Sequence, residues 1–231
     1  MPAQTPDLIV DHEREARTGI PELVYGAGKT PEQIAAALRE IARTQGGALA
    51  TRVDAAKAAA VRAIEPRVVE HASARILVLG ERPARAPAAQ IAVVAAGTSD
   101  APVADECALV AEFLGAPVAR FTDVGVAGLH RLTARLEEIR RATVVVCVAG
   151  MEAALPSVLG GLVDAPLIAV PTSVGYGVAL DGLVALGAAL GSCAPGVVVV
   201  NIDNGVGAAV AAVRIARLAV RSSDGRLAVR P

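Results

Sequence analysis

The sequence predicts a doubly wound α/β domain, with a parallel sheet covered by helices on both faces, preceded by a small, mainly helical domain. Three observations point there. From Ile91 onward, five short β-rich runs alternate with amphipathic stretches: IAVVAA, VARF, TVVVCV, PLIAV and VVVVNI. Those runs are almost continuously apolar, as expected when helices cover both faces of a parallel sheet. Their alternation with helical patterns over one chain favours βαβ units joined by right-handed crossovers.

The elements can be justified in order. The first 85 or so residues are charged and helical in pattern. Thr30 opens a helix there: it is placed as N-cap, Pro31 sits at the first helical position, and Gln33 completes a capping box. The preceding YGAGKT resembles a phosphate loop, but the Walker pattern needs a glycine where Leu23 stands. A glycine turn feeding a capped helix is the plainer account, with a role for Lys29 left open. Gly80 to Gln90 is rich in Pro and Ala and reads as a linker. Between the first two strands, Pro102 to Gly115 sets Val103, Cys107, Val110 and Leu114 on one helical face. An apolar helix from Val206 to Val220 closes the fold. The resulting expectation is an N-terminal domain over 1–88, an α/β catalytic domain over 89–222 and a polar tail over 223–231.

Composition narrows the function classes. Lys plus Arg number 22 against 23 for Asp plus Glu, so no basic surplus exists to hold nucleic acid. Aromatics are 2% of the 231 residues, which argues against base-stacking platforms. The longest uncharged stretch, Gly182 to Ile202, is interrupted by Gly187, Gly191, Ser192, Pro195 and Gly196. It reads as a buried helix, a loop and a buried strand, and no membrane span is expected. The charged N-terminus is unlike a signal peptide, and three cysteines without a CxxC pair suit a reduced, cytoplasmic protein. No metal-ligand spacing is present.

In an open parallel sheet, ligands bind outside the carboxyl ends of the strands. The segment behind each strand here is small and polar: AGTSD (Ala96–Asp100), TDVGVAGLHR (Thr122–Arg131), AGME (Ala149–Glu152), PTSVGYG (Pro171–Gly177) and NIDNG (Asn201–Gly205). Glycines let backbone N–H groups approach a ligand, and helix N-termini behind them favour phosphate or carboxylate. A phosphate-bearing small molecule is the natural inference. Single residues carry a plainer alternative. Asp100, before Ala101-Pro102, serves equally as a helix cap, and Glu152 suits a helix start. His12 and His71 fall in charged helical sequence, whereas His130 sits on a rim loop where a proton-handling group would be placed. Cys107 and Cys147 read as core residues. Cys193 lies in a loop with no apolar pattern to explain it, although a lone loop cysteine is more often incidental than catalytic.

Taken together, AGTSD with PVADE behind it, DVGVAGLHR, VAGMEAALPSV, VPTSVGYG, SCAPG and NIDNG resemble the LarB family, the pyridinium-3,5-biscarboxylic acid mononucleotide synthases of nickel-pincer cofactor synthesis. The likeness extends back over YGAGKTPEQ and so covers most of the chain. The C-terminal half more distantly resembles PurE-type aminoimidazole ribonucleotide carboxylases. Thr98-Ser99-Asp100 is similar to their first loop and Leu129-His130-Arg131 to their Ala-His-Arg loop. The resemblance implies a PurE-like, flavodoxin-type three-layer fold. It also implies nicotinic acid adenine dinucleotide and carbon dioxide or bicarbonate as substrates, and a homo-oligomer. No organic cofactor is implied beyond the dinucleotide itself.

By that resemblance Cys193 is the covalent nucleophile. A pyridinium ring is electron-poor and cannot attack carbon dioxide until a thiolate has added to it. Glu152 is expected as the base for the ring proton, with His130 as helper. Gly97, Thr98, Ser99 and Asp100 would hold the ribose-phosphate, and Ser173 and Tyr176 would line the pocket. Asp123, Asn201 and Asp203 complete the expected binding set. Hydrolysis of the phosphoanhydride calls for charge neutralisation by Arg131, Lys29 or a magnesium ion. Two positions depart from the family pattern: Gly191 stands where Asn precedes Ser-Cys, and Val206 where Phe is common. A loop joining a helix to the last strand belongs at the amino-end face, so Cys193 is expected to serve a neighbouring subunit's rim. The runner-up activity is that of an aminoimidazole ribonucleotide carboxylase or mutase. A non-catalytic nucleotide-binding scaffold is the alternative of another class.

Overall fold

A computed structural model describes residues 8–82 and 88–223, and the chain divides into two compact units, 1–84 and 85–231. Part of the expected linker, 83–87, and nearly all of the expected polar tail lie outside the described residues.

The first unit runs α1 (Arg14–Thr18), β1 (Val24–Tyr25), α2 (Pro31–Gln45), β2 (Gly47–Thr51), α3 (Ala55–Ile64), β3 (Val69–His71) and β4 (Ile76–Gly80). Its helix α2 starts at the capping box read from the sequence. The Thr30 hydroxyl accepts from the Gln33 amide, and the Gln33 side chain accepts from the Thr30 amide. Asp54 caps α3 in the same manner, accepting from the Lys57 amide at 2.8 Å. Helices hold more of this unit than strands do, but the sequence reading missed the sheet on which they pack. It has the order β1-β2-β4-β3, with β1 parallel to β2 and the other pairs antiparallel. His71 accordingly sits on a strand rather than in a helix. Ile34, Leu38 and Ile41 of α2 pack with Ala48, Ala50, Leu77 and Leu79 in the core of this unit.

The second unit begins with β5 (Ile91–Ala95), then α4 (Ala101–Phe113), β6 (Val118–Phe121), α5 (Leu129–Ile139) and β7 (Val144–Ala149). It continues with α6 (Ala154–Gly160), β8 (Leu167–Pro171), α7 (Leu183–Leu190), β9 (Val197–Val199) and α8 (Gly205–Ser223). All four pairings are parallel and the order is β6-β5-β7-β8-β9, the flavodoxin-type arrangement. Helices α4 and α8 pack together on one face of the sheet, and α6 and α7 on the other. The central strands β5, β7 and β8 are buried along their whole length, which is why their sequences are unbroken apolar runs. Val103, Cys107, Val110 and Leu114 are all buried, as their spacing requires.

The uncharged stretch from Gly182 to Ile202 resolves into α7, a loop and β9, but not into buried elements. β9 is the edge of the sheet, and Val198 is 59% exposed. Helix α7 turns Ala185 and Ala189 inward and leaves Leu183 and Leu190 exposed. Among the described residues no helix is long and apolar enough to cross a membrane.

Candidate active site

In this strand order the chain reverses direction between β5 and β7, so a crevice opens beyond their carboxyl ends. A cleft of about 330 Å³ lies there. Its walls come from the loops after β5, β6 and β7, with Val174 from the loop after β8. Of the residues expected from the sequence, Gly97, Ser99, Asp100, Asp123, Arg131 and Glu152 line it.

Close approach of backbones shapes this cleft. A Cβ at Gly125 would stand 2.7 Å from the Ala96 carbonyl oxygen, so only glycine lets the second rim loop meet the first. The third loop turns sharply, with Met151 and Ala153 both at positive φ. Such strain in non-glycine residues is characteristic of functional loops. It leaves Glu152 exposed at the mouth, just ahead of α6.

Asp123 also has positive φ and forms an ion pair with Arg131 one turn into α5. Both side chains remain partly exposed, at 49% and 39%, so the guanidinium keeps donors for an anionic ligand. Asp100 is the opposite case, only 4% exposed. It occupies the N-cap position of α4, yet its side chain caps nothing in that helix, which corrects the capping alternative. Instead its two oxygens accept from the Gly97 amide at 2.9 Å and from the Thr172 hydroxyl at 2.7 Å. Burial pushes its carboxyl above the usual carboxylate range. The Thr172, Gly97 and Gly150 donors oppose that shift, and the charge of Asp203 adds to it.

The remaining expected residues lie outside the cleft lining. Thr98 is exposed on the first loop, and His130 is exposed as the second residue of α5. Tyr176 is 80% exposed on the loop after β8. Ser173 is exposed there too and donates its backbone N–H to Asp203. Asn201, on the loop after β9, is exposed as well. Lys29 belongs to the first unit, where its amide donates to the Gly26 carbonyl within the turn before α2. His12 pairs with Glu40 on the first unit. Among the described residues no three His, Cys, Asp or Glu side chains gather to hold a metal. A magnesium ion would draw most of its ligands from substrate phosphates and water.

The cysteines separate cleanly. Cys107 and Cys147 are buried, and burial pushes the Cys107 thiol up to about 12 and raises that of Cys147 as well. Neither can supply a thiolate near neutral pH. Cys193 is exposed. It precedes β9 and therefore lies toward the amino end of the strands. There Ser192 meets Ser157 of α6 at 2.7 Å, and Ala194 stands close over Gly160 at the C-terminal end of α6. The cleft at the carboxyl rim of the same chain does not include Cys193.

The rim thus joins a carboxylate, an ion-paired arginine and glycine-lined backbone, a set suited to a phosphorylated substrate and proton transfer. Residues 7–81 match the LarB/PurE-like N-terminal domain model, and residues 90–229 match AIR carboxylase. The chain belongs to the LarB family. Its C-terminal unit is a PurE-like domain, and the family is related to enzymes of carboxylase and mutase type. An uncharacterized protein of Methanocaldococcus jannaschii is 37% identical over 220 residues, covering 91% of this LarB-family chain and 84% of that protein. The N5-carboxyaminoimidazole ribonucleotide mutase of the same organism is 40% identical over 101 residues, which is 42% of this chain and 61% of the mutase. Sequence reasoning overlooked Thr172. Its signal was a hydroxyl residue directly behind a wholly apolar strand.

Proposed function

We propose that the protein carboxylates the pyridinium ring of nicotinic acid adenine dinucleotide at its 5-position and hydrolyses the phosphoanhydride. The products are pyridinium-3,5-biscarboxylic acid mononucleotide and AMP. One observation carries the reading: an exposed Cys193 stands in a chain whose residues 7–81 match the LarB-type N-terminal domain and whose residues 90–229 match the carboxylase domain. In this mechanism the Cys193 thiolate adds to the ring carbon para to nitrogen, giving a 1,4-dihydropyridine. The enamine carbon at position 5 then attacks carbon dioxide. A base removes the proton from that carbon, the C–S electron pair returns to sulfur, and aromaticity is restored. Cysteine suits both addition and departure.

Glu152 is the base on this reading, since it stands at the mouth of the cleft, with exposed His130 as a helper. Arg131 neutralises the phosphates, assisted by a magnesium ion. Because Cys193 lies toward the other edge of its own sheet, it serves the rim of a neighbouring subunit in a homo-oligomer. The exposed apolar residues of α7 and β9 support such an assembly. Incubation with the dinucleotide and labelled bicarbonate, then mass spectrometry, tests the proposal. A doubly carboxylated mononucleotide, or a dinucleotide adduct on Cys193, is expected. Consumption of neither substrate overturns it.

The similarity to the ribonucleotide mutase over 101 residues favours a second reading, carboxylation or carboxyl transfer on an aminoimidazole ribonucleotide. That substrate is already enamine-like and needs no thiol. Alkylation of Cys193 separates the two: it stops the pyridinium reaction and spares the other.

A further inference from the structure

Thr172 is fully buried at the end of β8, and its backbone N–H already donates to the Ala149 carbonyl at 3.0 Å. Its hydroxyl donates to Asp100 at 2.7 Å, across 72 residues of sequence. The other Asp100 oxygen holds the Gly97 amide, and so the turn from Gly97 to Ser99 that lines the cleft. Room for this link is reserved by a neighbour. A Cβ on Gly150 would meet the Thr172 hydroxyl at 2.6 Å and collide with the Val174 carbonyl oxygen. The next residue, Ser173, grips a second aspartate. Its N–H donates to Asp203 at 2.8 Å, and the Asp203 amide donates to the Pro171 carbonyl at 2.8 Å. Adjacent residues of one loop therefore tie down the first and the last rim loops.

We infer that Thr172 is a positioning residue, whose hydroxyl holds Asp100 so that the Gly97–Ser99 turn keeps its ligand-binding shape, with Asp100 acting inward as a tether. The inference rests on the reading of the rim cleft as the dinucleotide site. Removing the hydroxyl takes from a buried carboxylate the largest of its donor interactions and leaves it only the Gly97 and Gly150 amides.

The test compares the wild type with Thr172→Val, which keeps the shape, and Thr172→Ser, which keeps the hydroxyl. Two readouts are monitored: dinucleotide kinetics, and hydrogen exchange at the Gly97 amide. Thr172→Val should raise KM by roughly tenfold to a hundredfold, with kcat changing far less, and should speed Gly97 exchange by about tenfold or more. Thr172→Ser should restore both. An unchanged KM in an active Thr172→Val variant overturns the inference. If the wild type neither binds nor turns over the dinucleotide, the functional proposal fails by itself. Gly97 exchange then decides the tether alone: faster exchange in Thr172→Val supports it, and an unchanged rate overturns it.

Discussion

Replacing Asp100 separates its hydrogen-bonding role from its charge. In Asp100→Ala the Thr172 hydroxyl, which is fully buried, and the partly buried Gly97 amide lose their acceptor, and the Gly150 amide loses a weaker interaction. A buried unsatisfied donor costs about 1–3 kcal/mol, so the pair amounts to roughly 2–5 kcal/mol. Some of that is returned, because burial already disfavours the ionised carboxylate and holds its pKa above 3.8. A net loss of about 1.5–3 kcal/mol is expected near neutral pH. Asp100→Asn behaves differently. Its amide oxygen can keep the Gly97 N–H, its amide nitrogen can donate to a rotated Thr172 hydroxyl, and no charge is buried. It should therefore stay within about 1 kcal/mol of the wild type. The two differ in pH response as well. A raised pKa means the folded state holds the proton more tightly, so wild-type stability relative to Asp100→Asn is greatest below 3.8. It falls as pH rises through the folded-state value. Urea titration monitored at the amide resonances of β5 and β7 reads the second unit directly. Asp100→Ala and Asp100→Asn with equal stabilities would refute the reasoning.

The same geometry sets other outcomes. Cys193→Ser should abolish the dicarboxylated product in mass spectrometry while dinucleotide binding, measured by calorimetry, persists. Glu152→Gln should lower kcat by about 10²–10⁴ with little change in KM, as removal of a general base does; full turnover would exclude that role. In the first unit, Arg67 and Arg39 hold the Glu65 carboxyl down to about 2 from 4.5. That contribution is present above pH 4.5 and is lost as pH falls toward 2. With the Arg67 side chain 75% exposed and screened by water, Arg67→Ala should lower the stability of this unit only slightly at pH 7. The difference should vanish near pH 2 in acid titrations of the first unit.

The central strands β5, β7 and β8 were legible because burial on both faces leaves only an apolar run, whereas the edge strands β6 and β9 were read from their alternation with helical patterns. The sheet of the first unit was not. Its β1 has two residues and β3 has three, one of them Glu70, and all of β3 is exposed or only partly buried. β2 reads GALAT, in which alanine favours a helix, and only tertiary packing makes it a buried strand. The rim loops were recognisable from glycine and small polar residues at strand ends. Which side chains face the ligand was not, because orientation is set by long-range pairing. Asp100 lines the cleft but engages Gly97 and Thr172 with its two oxygens, whereas Asp123 is kept at the cleft by Arg131.

The placement of Cys193 is a consequence of topology and constrains the chemistry. In a parallel sheet every loop that leads into a strand lies at the edge opposite the ligand rim, whatever its sequence. Ser192-Cys193-Ala194 leads into β9 and packs on the C-terminal half of α6, so its own fold holds it away from Glu152 and Arg131. The neighbouring surface is not finished for water: Leu183, Leu190 and Val198 are exposed at 58%, 68% and 59% along α7 and the edge strand. Burying such a face against another copy would gain apolar area and, on the proposed mechanism, would bring an exposed thiol to a rim lined by Glu152 and Arg131. On that arrangement, a variant lacking Cys193 mixed with a variant lacking Glu152 should recover activity through mixed oligomers. A site complete within one chain could not be rescued that way.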